Sequence, residues 1–284
     1  MTTPFALIPP SSLNQGSIPG APFYKQFLAQ GDSWFSIGAL PFSSTTNLLF
    51  PSGLNKRAGV VNCADPGFTL EKMLDRMSDP VFQQLLCGAM EYQWDGILIS
   101  GLGNDVIHAL SAKASEPQEK RLLATAAEWG DSTSPSRYIS ESGWTAFEKY
   151  ATDLYKDLDR MRQASKLNKA TPIITHTYDL ATPRNAPAGP SGPWLYKALT
   201  VYGVPTSDWC PLANELLGRL SDLICDISTK VSGMHVVKTQ GTLAPAPEGS
   251  TGKQGHWENE IHPSPAGYQL LAKKFSAELQ LLFP

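Results

Sequence analysis

Along the chain, short apolar runs alternate with longer stretches whose apolar residues recur at helical spacing. Phe23-Tyr24-Lys25-Gln26-Phe27-Leu28-Ala29 predicts a first buried strand, ended by the turn residues Gly31-Asp32. Ala58 to Cys63 predicts a second, closed by Asp65-Pro66-Gly67. Gly96-Ile97-Leu98-Ile99-Ser100 is the plainest strand, and it runs into Gly101-Leu102-Gly103-Asn104-Asp105. Pro172 to His176 and Met234 to Lys238 predict a fourth and a fifth. Between them, Thr69 is placed to cap a helix, although Lys72 stands where a capping-box Glu would be. Helical spacing covers Val81 to Tyr92, Gln118 to Lys166 with a break near Gly130 to Ser136, and Leu212 to Val231. A last helix runs from Pro265 to Leu282 and opens on proline. Strands and helices alternate about five times. A parallel crossover needs a helix to return to the same sheet edge. The pattern therefore predicts an α/β protein, a three-layer sandwich of about five parallel strands with helices on both faces.

Punctuation residues set the domain reading. Residues 1–21 are rich in Pro, Ser, Thr and Gly and are expected to form an arm on the surface; residues 22–284 are expected to form a single domain. Leu40 to Leu54 mixes turn and apolar residues and reads as a helix start or an irregular loop. Pro183 to Pro193 reads as an extended loop, either a lid or a surface crossing, and Gly241 to Gly255 as a polar one.

Composition narrows the classes. With 42% apolar and 17% charged residues the 284-residue chain can bury a large single core. A net charge of -3 without a basic run gives no reason to expect a nucleic acid or an anionic membrane as partner. No run of about 18 apolar residues occurs, so no transmembrane helix is expected. Met1 to Pro10 lacks the features of a secretory signal peptide, which favours a cytoplasmic location unless export takes another route. The four cysteines form no C-x-x-C pair, and Cys63 and Cys87, in apolar segments, read as buried free thiols. His108, His176, His235 and His256 show no metal spacing. Gly101-Leu102-Gly103 lacks the third glycine of a dinucleotide fingerprint, because Val106 stands there. Before Gly252-Lys253, Pro247 stands where a phosphate loop needs glycine. The G-x-S-x-G elbow of α/β-hydrolases is absent.

The chemistry gathers at strand ends. Ser33 follows the first strand directly, at the sheet edge where ligands collect in open α/β folds. A serine hydroxyl becomes a nucleophile only with a base to take its proton and donors to hold the developing oxyanion. Gly67 offers a backbone N–H after the second strand, and Asn104 offers a side-chain amide after the third. His262, in Asn259-Glu260-Ile261-His262-Pro263, offers a base before the last helix. Trp34 and Trp257 flank the serine and histidine blocks; both read first as core residues and second as walls of an acyl pocket.

Four blocks in this order resemble the SGNH hydrolases, the GDSL esterases and lipases. They are Gly31-Asp32-Ser33-Trp34, Asn62-Cys63-Ala64-Asp65-Pro66-Gly67, Ser100-Gly101-Leu102-Gly103-Asn104-Asp105 and Asn259-Glu260-Ile261-His262-Pro263. The resemblance spans residues 31–263. It implies a flavodoxin-like sheet and a cofactor-free, metal-free hydrolase of a small-molecule, lipid or glycan ester. Ser33 would be nucleophile, His262 general base and then acid, and the Ser33 and Gly67 N–H groups with the Asn104 amide would form the oxyanion hole. One position departs from the pattern. The family places Asp three residues before the histidine, and here it is Asn259. Asn259 could accept from His262 through its carbonyl oxygen, Glu258 or Glu260 could replace the acid, or the pair could work alone. The same departure motivates the alternative of a silent member that binds an acylated glycan or lipid. Specificity is expected in Leu40 to Leu54, Asp105 to Ser142 and Asp179 to Trp209.

Overall fold

The computed structural model describes residues 2–13, 22–36 and 47–284. Two short strands open the chain, β1 (Thr3–Pro4) and β2 (Ala6–Ile8), followed by β3 (Lys25–Gly31), β4 (Gly53–Leu54) and β5 (Ala58–Asn62). Helices α1 (Leu70–Leu74) and α2 (Pro80–Cys87) lead to β6 (Gly96–Ser100), α3 (Gly103–Leu110), α4 (Glu141–Ala164) and β7 (Ile173–His176). The chain ends with α5 (Leu195–Val201), α6 (Trp209–Lys230), β8 (Met234–Val237) and α7 (Pro265–Leu282).

Six parallel strands form the main sheet in the order β2-β5-β3-β6-β7-β8, with helices packed against it in an α/β sandwich. Without β2 this is the five-strand doubly wound order, in which the second strand lies outside the first and the later strands run the other way. β3 and β6 sit at the centre. Every residue of β6 is buried, as its unbroken apolar run requires, whereas an alternating strand would wet one face. Leu28 aligns with Val61 on one side and with Ile97 on the other.

The described part of the expected surface arm, residues 2–13, differs from that expectation. Phe5 and Ile8 are buried, and β2 pairs in parallel with β5 as a sixth strand. The period-two pattern is too short there to stand out among the prolines that flank it. β1 pairs with β4 in a separate antiparallel ribbon. Residues 14–21 of the arm, and 40–46 of the stretch read as a helix start or loop, lie outside the described residues.

The helix boundaries follow their capping chemistry. Thr69 Oγ1 accepts from Lys72 N at 3.4 Å, and Asp79 accepts from Val81 N and Phe82 N at the start of α2. Ser264 accepts from Gly267 N beneath the Pro265 start of α7. The long helical region expected over 118–166 is α-helix only from Glu141. Upstream of it the chain makes three short 3-10 turns, and across the first two, Gln118–Lys120 and Ala126–Glu128, the buried Arg121 guanidinium pulls the chain around itself. It bonds the Glu116 carbonyl at 3.0 Å, the Leu123 carbonyl at 2.5 Å and the Glu128 carboxylate. Burying a guanidinium demands such partners, and a helix could not supply them. Among the described residues no helix is long and apolar enough to cross a membrane.

Candidate active site

β5 lies on one side of β3 and β6 on the other, so the carboxyl end of β3 is the point at which strand order reverses. There the crossovers diverge and leave a crevice. Ser33 stands in the turn that follows β3, Gly67 in the turn after β5 and Asn104 at the start of α3 after β6. Asp65 N donates to the Gly31 carbonyl at 3.0 Å, which ties the Gly67 turn to the Ser33 turn.

His262 reaches this crevice from a segment 229 residues further along. Its Nε2 is 2.7 Å from Ser33 Oγ. Its Nδ1 is 2.9 Å from Asn259 Oδ1. The same Oδ1 accepts from the backbone N–H of Ile261 at 3.2 Å and of His262 at 3.0 Å. An oxygen that receives two backbone N–H groups is the carbonyl end of the amide, since an NH2 group there would point hydrogens at hydrogens. Asn259 therefore presents an acceptor to Nδ1, Nδ1 carries the ring proton, and Nε2 is left with a lone pair facing the serine hydroxyl. Asn259 Nδ2 is buried with no partner among the described residues. Burial holds His262 well below the usual histidine range, at about 4, so the ring is neutral near pH 7.

Neither glutamate considered as a substitute acid is at the imidazole. Glu258 turns outward to Lys253, Nζ to carboxylate 3.2 Å. Glu260 turns inward and accepts from four backbone N–H groups: Arg184 at 3.1 Å, Leu195 at 3.0 Å, Tyr196 at 2.7 Å, and Trp194. One residue of shift in an extended segment sends the side chain to the other face, which is why two carboxylates so near in sequence miss the ring. Burial pushes the Glu260 carboxyl up to about 7 against the pull of its N–H donors. The clamp holds the start of α5 so that the Trp194 ring meets His262 edge to face, with centroids 5.5 Å apart. It also fastens Pro183 to Pro193. Arg184 and Ala186 are buried, Glu260 N donates to the Ala186 carbonyl at 2.9 Å, and the Arg184 guanidinium bonds the Asn259 carbonyl at 2.6 Å. That segment is stitched to the histidine loop at Arg184 and Ala186, while Asn185, Pro187 and residues 189–192 are exposed at the surface.

Three donors stand in the segments that follow β3, β5 and β6. The Ser33 and Gly67 N–H groups have no partner among the described residues. Gly67 has φ +79 in an exposed turn, a conformation in which its N–H can point out and which other residues rarely adopt. Asn104 Nδ2 donates to the Phe68 carbonyl at 3.0 Å, and this fixes the amide while leaving its second hydrogen. Leu102, just before α3, is fully buried at φ +76, a left-handed conformation that a leucine holds only under constraint from its surroundings.

Beneath Ser33 lies a polar cluster that sequence patterning did not single out. Asp32 is buried and accepts from Trp34 N at 2.9 Å, from Ser100 Oγ at 2.9 Å and from Tyr178 Oη. His176 Nε2 is 3.0 Å from the same Ser100 Oγ, and its Nδ1 is 3.0 Å from the Thr177 carbonyl. Burial raises the Asp32 carboxyl to about 6 and lowers His176 to about 4. Trp34 stacks on the His176 ring and donates to the Ile261 carbonyl at 3.3 Å, linking the serine turn to the histidine loop. Trp257 is a core residue, its indole N–H on the Ala244 carbonyl at 3.0 Å. An Asp beside a Ser in a turn was the available signal for this cluster; Ser100, His176 and Tyr178 join it only through strand pairing. Among the described residues no group of three or more His, Cys, Asp or Glu side chains could hold a metal ion.

No known family profile matches the chain, and no curated protein matches it. Among solved structures 68 chains match. An α/β hydrolase from the metagenome of Lake Arreo, Spain, is 16% identical and aligns over 92% of this chain and 97% of its own, with a TM-score of 0.48. A catalytic mutant of an acetylxylan esterase from Geobacillus stearothermophilus is 18% identical, over 90% and 94%, with a TM-score of 0.47. A protein described as a GDSL-like lipase from Parabacteroides merdae is 18% identical, over 91% and 96%, with a TM-score of 0.41. A likeness this loose assigns no residue a role.

Proposed function

We propose that the protein is a carboxylic ester hydrolase of the SGNH type that works through an acyl-enzyme on Ser33. The observation that carries this reading is the chain from Ser33 Oγ to His262 Nε2 at 2.7 Å and from His262 Nδ1 to Asn259 Oδ1 at 2.9 Å. Nucleophile, base and orienter stand in the order that serine acyl transfer needs, with the imidazole in the working tautomer.

In the first half-reaction Ser33 Oγ bonds to the ester carbonyl carbon as its proton passes to His262 Nε2. The carbonyl oxygen becomes an oxyanion, received by the N–H groups of Ser33 and Gly67 and by the Asn104 amide. The carbon–alkoxy bond then breaks, and His262 returns the proton to the departing alkoxide. In the second, water gives a proton to His262 and its oxygen attacks the acyl carbon. Ser33 leaves with the proton back from His262, and the carboxylic acid is released. Asn259 supplies direction and no charge, so the imidazolium formed midway is less well compensated than beside a carboxylate.

The reading is tested by intact-mass labelling with a fluorophosphonate and by hydrolysis of p-nitrophenyl acetate. Expected are one label per chain, lost in Ser33→Ala, and a fall in kcat of about a thousandfold or more in Ser33→Ala and His262→Ala. Full turnover by Ser33→Ala would overturn it.

A further inference from the structure

Ser33 and Asn104 line a cavity of about 50 Å³. Most of the remaining wall is alkyl: Ile107 of α3, Leu195 of α5, and Leu217 and Leu220 of α6. Leu195 and Leu220 are buried, while Ile107 and Leu217 are half-buried. Two carboxylates also border the cavity, and both are already engaged. Asp32 accepts from Trp34 N, Ser100 and Tyr178. Asp179 accepts from the N–H groups of Leu180, Gly241, Thr242 and Leu243. The cavity thus offers hydrogen bonds at its Ser33–Asn104 end and hydrocarbon beyond it.

We propose that this cavity is the acyl pocket and that it restricts the enzyme to esters of short, uncharged acyl groups of two to about four carbons. The proposal rests on the ester-hydrolase reading of Ser33. Size decides the upper limit. A water-sized group occupies about 10–15 Å³ on this measure, so the cavity takes about three to five non-hydrogen atoms. Acetyl to butyryl chains fit. An octanoyl chain fits only by displacing leucines anchored on α6, a helix whose Leu212, Leu216, Leu220 and Ile224 are all buried. The lining decides the chemistry. A carboxylate or hydroxyl on the acyl chain would lose its water and find no free partner on the wall. The alcohol part of the ester leaves toward the open side of Ser33 and is not selected by this cavity.

The test is kcat/KM on p-nitrophenyl acetate, butyrate, octanoate and palmitate for the wild type, Ser33→Ala, Leu217→Ala and Leu220→Ala, with thermal unfolding to check that each variant is folded. Expected is Ser33-dependent turnover greatest on acetate or butyrate and at least about tenfold lower on octanoate. Leu217→Ala, at the half-buried position that is least costly to truncate, is expected to raise the octanoate-to-acetate ratio about tenfold. Ser33-dependent turnover greatest on octanoate or palmitate, or an unchanged ratio in folded Leu217→Ala and Leu220→Ala, overturns the pocket and leaves the hydrolase reading standing. The absence of Ser33-dependent turnover on every ester overturns both.

Discussion

Asn259 Oδ1 accepts from His262 twice, from the ring Nδ1–H at 2.9 Å and from the backbone N–H at 3.0 Å. The residue that stands in for a carboxylate is thereby held with its oxygen toward the ring. An asparagine free to rotate could present its NH2 group instead, force the other tautomer and leave Nε2 protonated against the serine. That wrong-tautomer state costs serine proteases about 10⁴ in kcat. The backbone of residues 261 and 262 prevents it here, so the loss relative to an acid is confined to missing charge compensation.

Replacing the amide by a carboxylate therefore has a definite expected result. Asn259→Asp removes the orphaned Nδ2 group and places a negative charge where the imidazolium forms. An increase in kcat of about tenfold on p-nitrophenyl acetate is expected, because an adjacent opposite charge stabilises the ionised ring by about 1–3 pKa units. Asn259→Ala, which leaves Nδ1–H without an acceptor, is expected to lower kcat about tenfold to a hundredfold. A drop in Asn259→Asp equal to that in Asn259→Ala would sink this account of the position.

The acid limit of activity follows from the same ring. The base must be neutral to accept the serine proton, and burial holds His262 at about 4. Lowering the pH should therefore leave kcat/KM level until close to pH 4, below the limb near 6.5 that an exposed histidine gives. In Asn259→Asp the limb is expected to move upward by about 1–3 pH units, since the carboxylate favours the charged ring. A wild-type limb at 6.5 or above contradicts the buried, uncompensated histidine.

Glu260 governs the loop that carries Trp194 to the His262 ring. Glu260→Ala orphans four N–H groups, of Arg184, Trp194, Leu195 and Tyr196. Loss of about 3 kcal/mol or more of stability is expected by denaturant unfolding. Glu260→Gln keeps one acceptor oxygen and should lie between the two. Protease cleavage within residues 183–196 should speed up in both variants, and a variant as resistant as the wild type would show that the clamp does not hold that segment.

Gly103 lets the start of α3 close on the Asp32 cluster. A Cβ added there would lie 2.6 Å from Tyr178 Cζ, and the tyrosine ring is held by Asp32 and Ser100. Gly103→Ala is expected to destabilise by about 1–3 kcal/mol, as overpacking does, and to lower kcat more than it raises KM, because it shifts Asn104 and Asp32 together. A KM-only effect would mean that the ring yields without disturbing the serine turn.

The legible parts of the site were those with strong local chemistry. Ser33, Gly67 and Asn104 each follow a strand whose apolar run is unmistakable, and His262 precedes a helix that opens on proline. Their pairing across 229 residues was readable through four motifs taken together. The choice among Asn259, Glu258 and Glu260 was not, because it depends on side-chain direction in an irregular segment with no repeating period. β2 was hidden for a related reason: three strand residues beside prolines carry too little pattern to outweigh their neighbours. Residues 118–129, ahead of the break expected near 130–136, read as helix because their spacing permits it, and the buried Arg121 overrode that propensity.

Local order along the chain, then, determined the alternation of strands and helices, the parallel sheet and the turns that hold the serine, glycine and asparagine. Those features depend on apolar periodicity and turn geometry, which neighbouring residues set. Tertiary structure alone decided which oxygen faces His262, where Glu260 spends its hydrogen bonds, and how Ser100, His176 and Tyr178 gather under Asp32. It also decided that α3, α5 and α6 leave a cavity of about 50 Å³ beside Ser33. These are properties of groups far apart in sequence, and their energies exist only once the packed interior has removed water and fixed the directions of donors and acceptors.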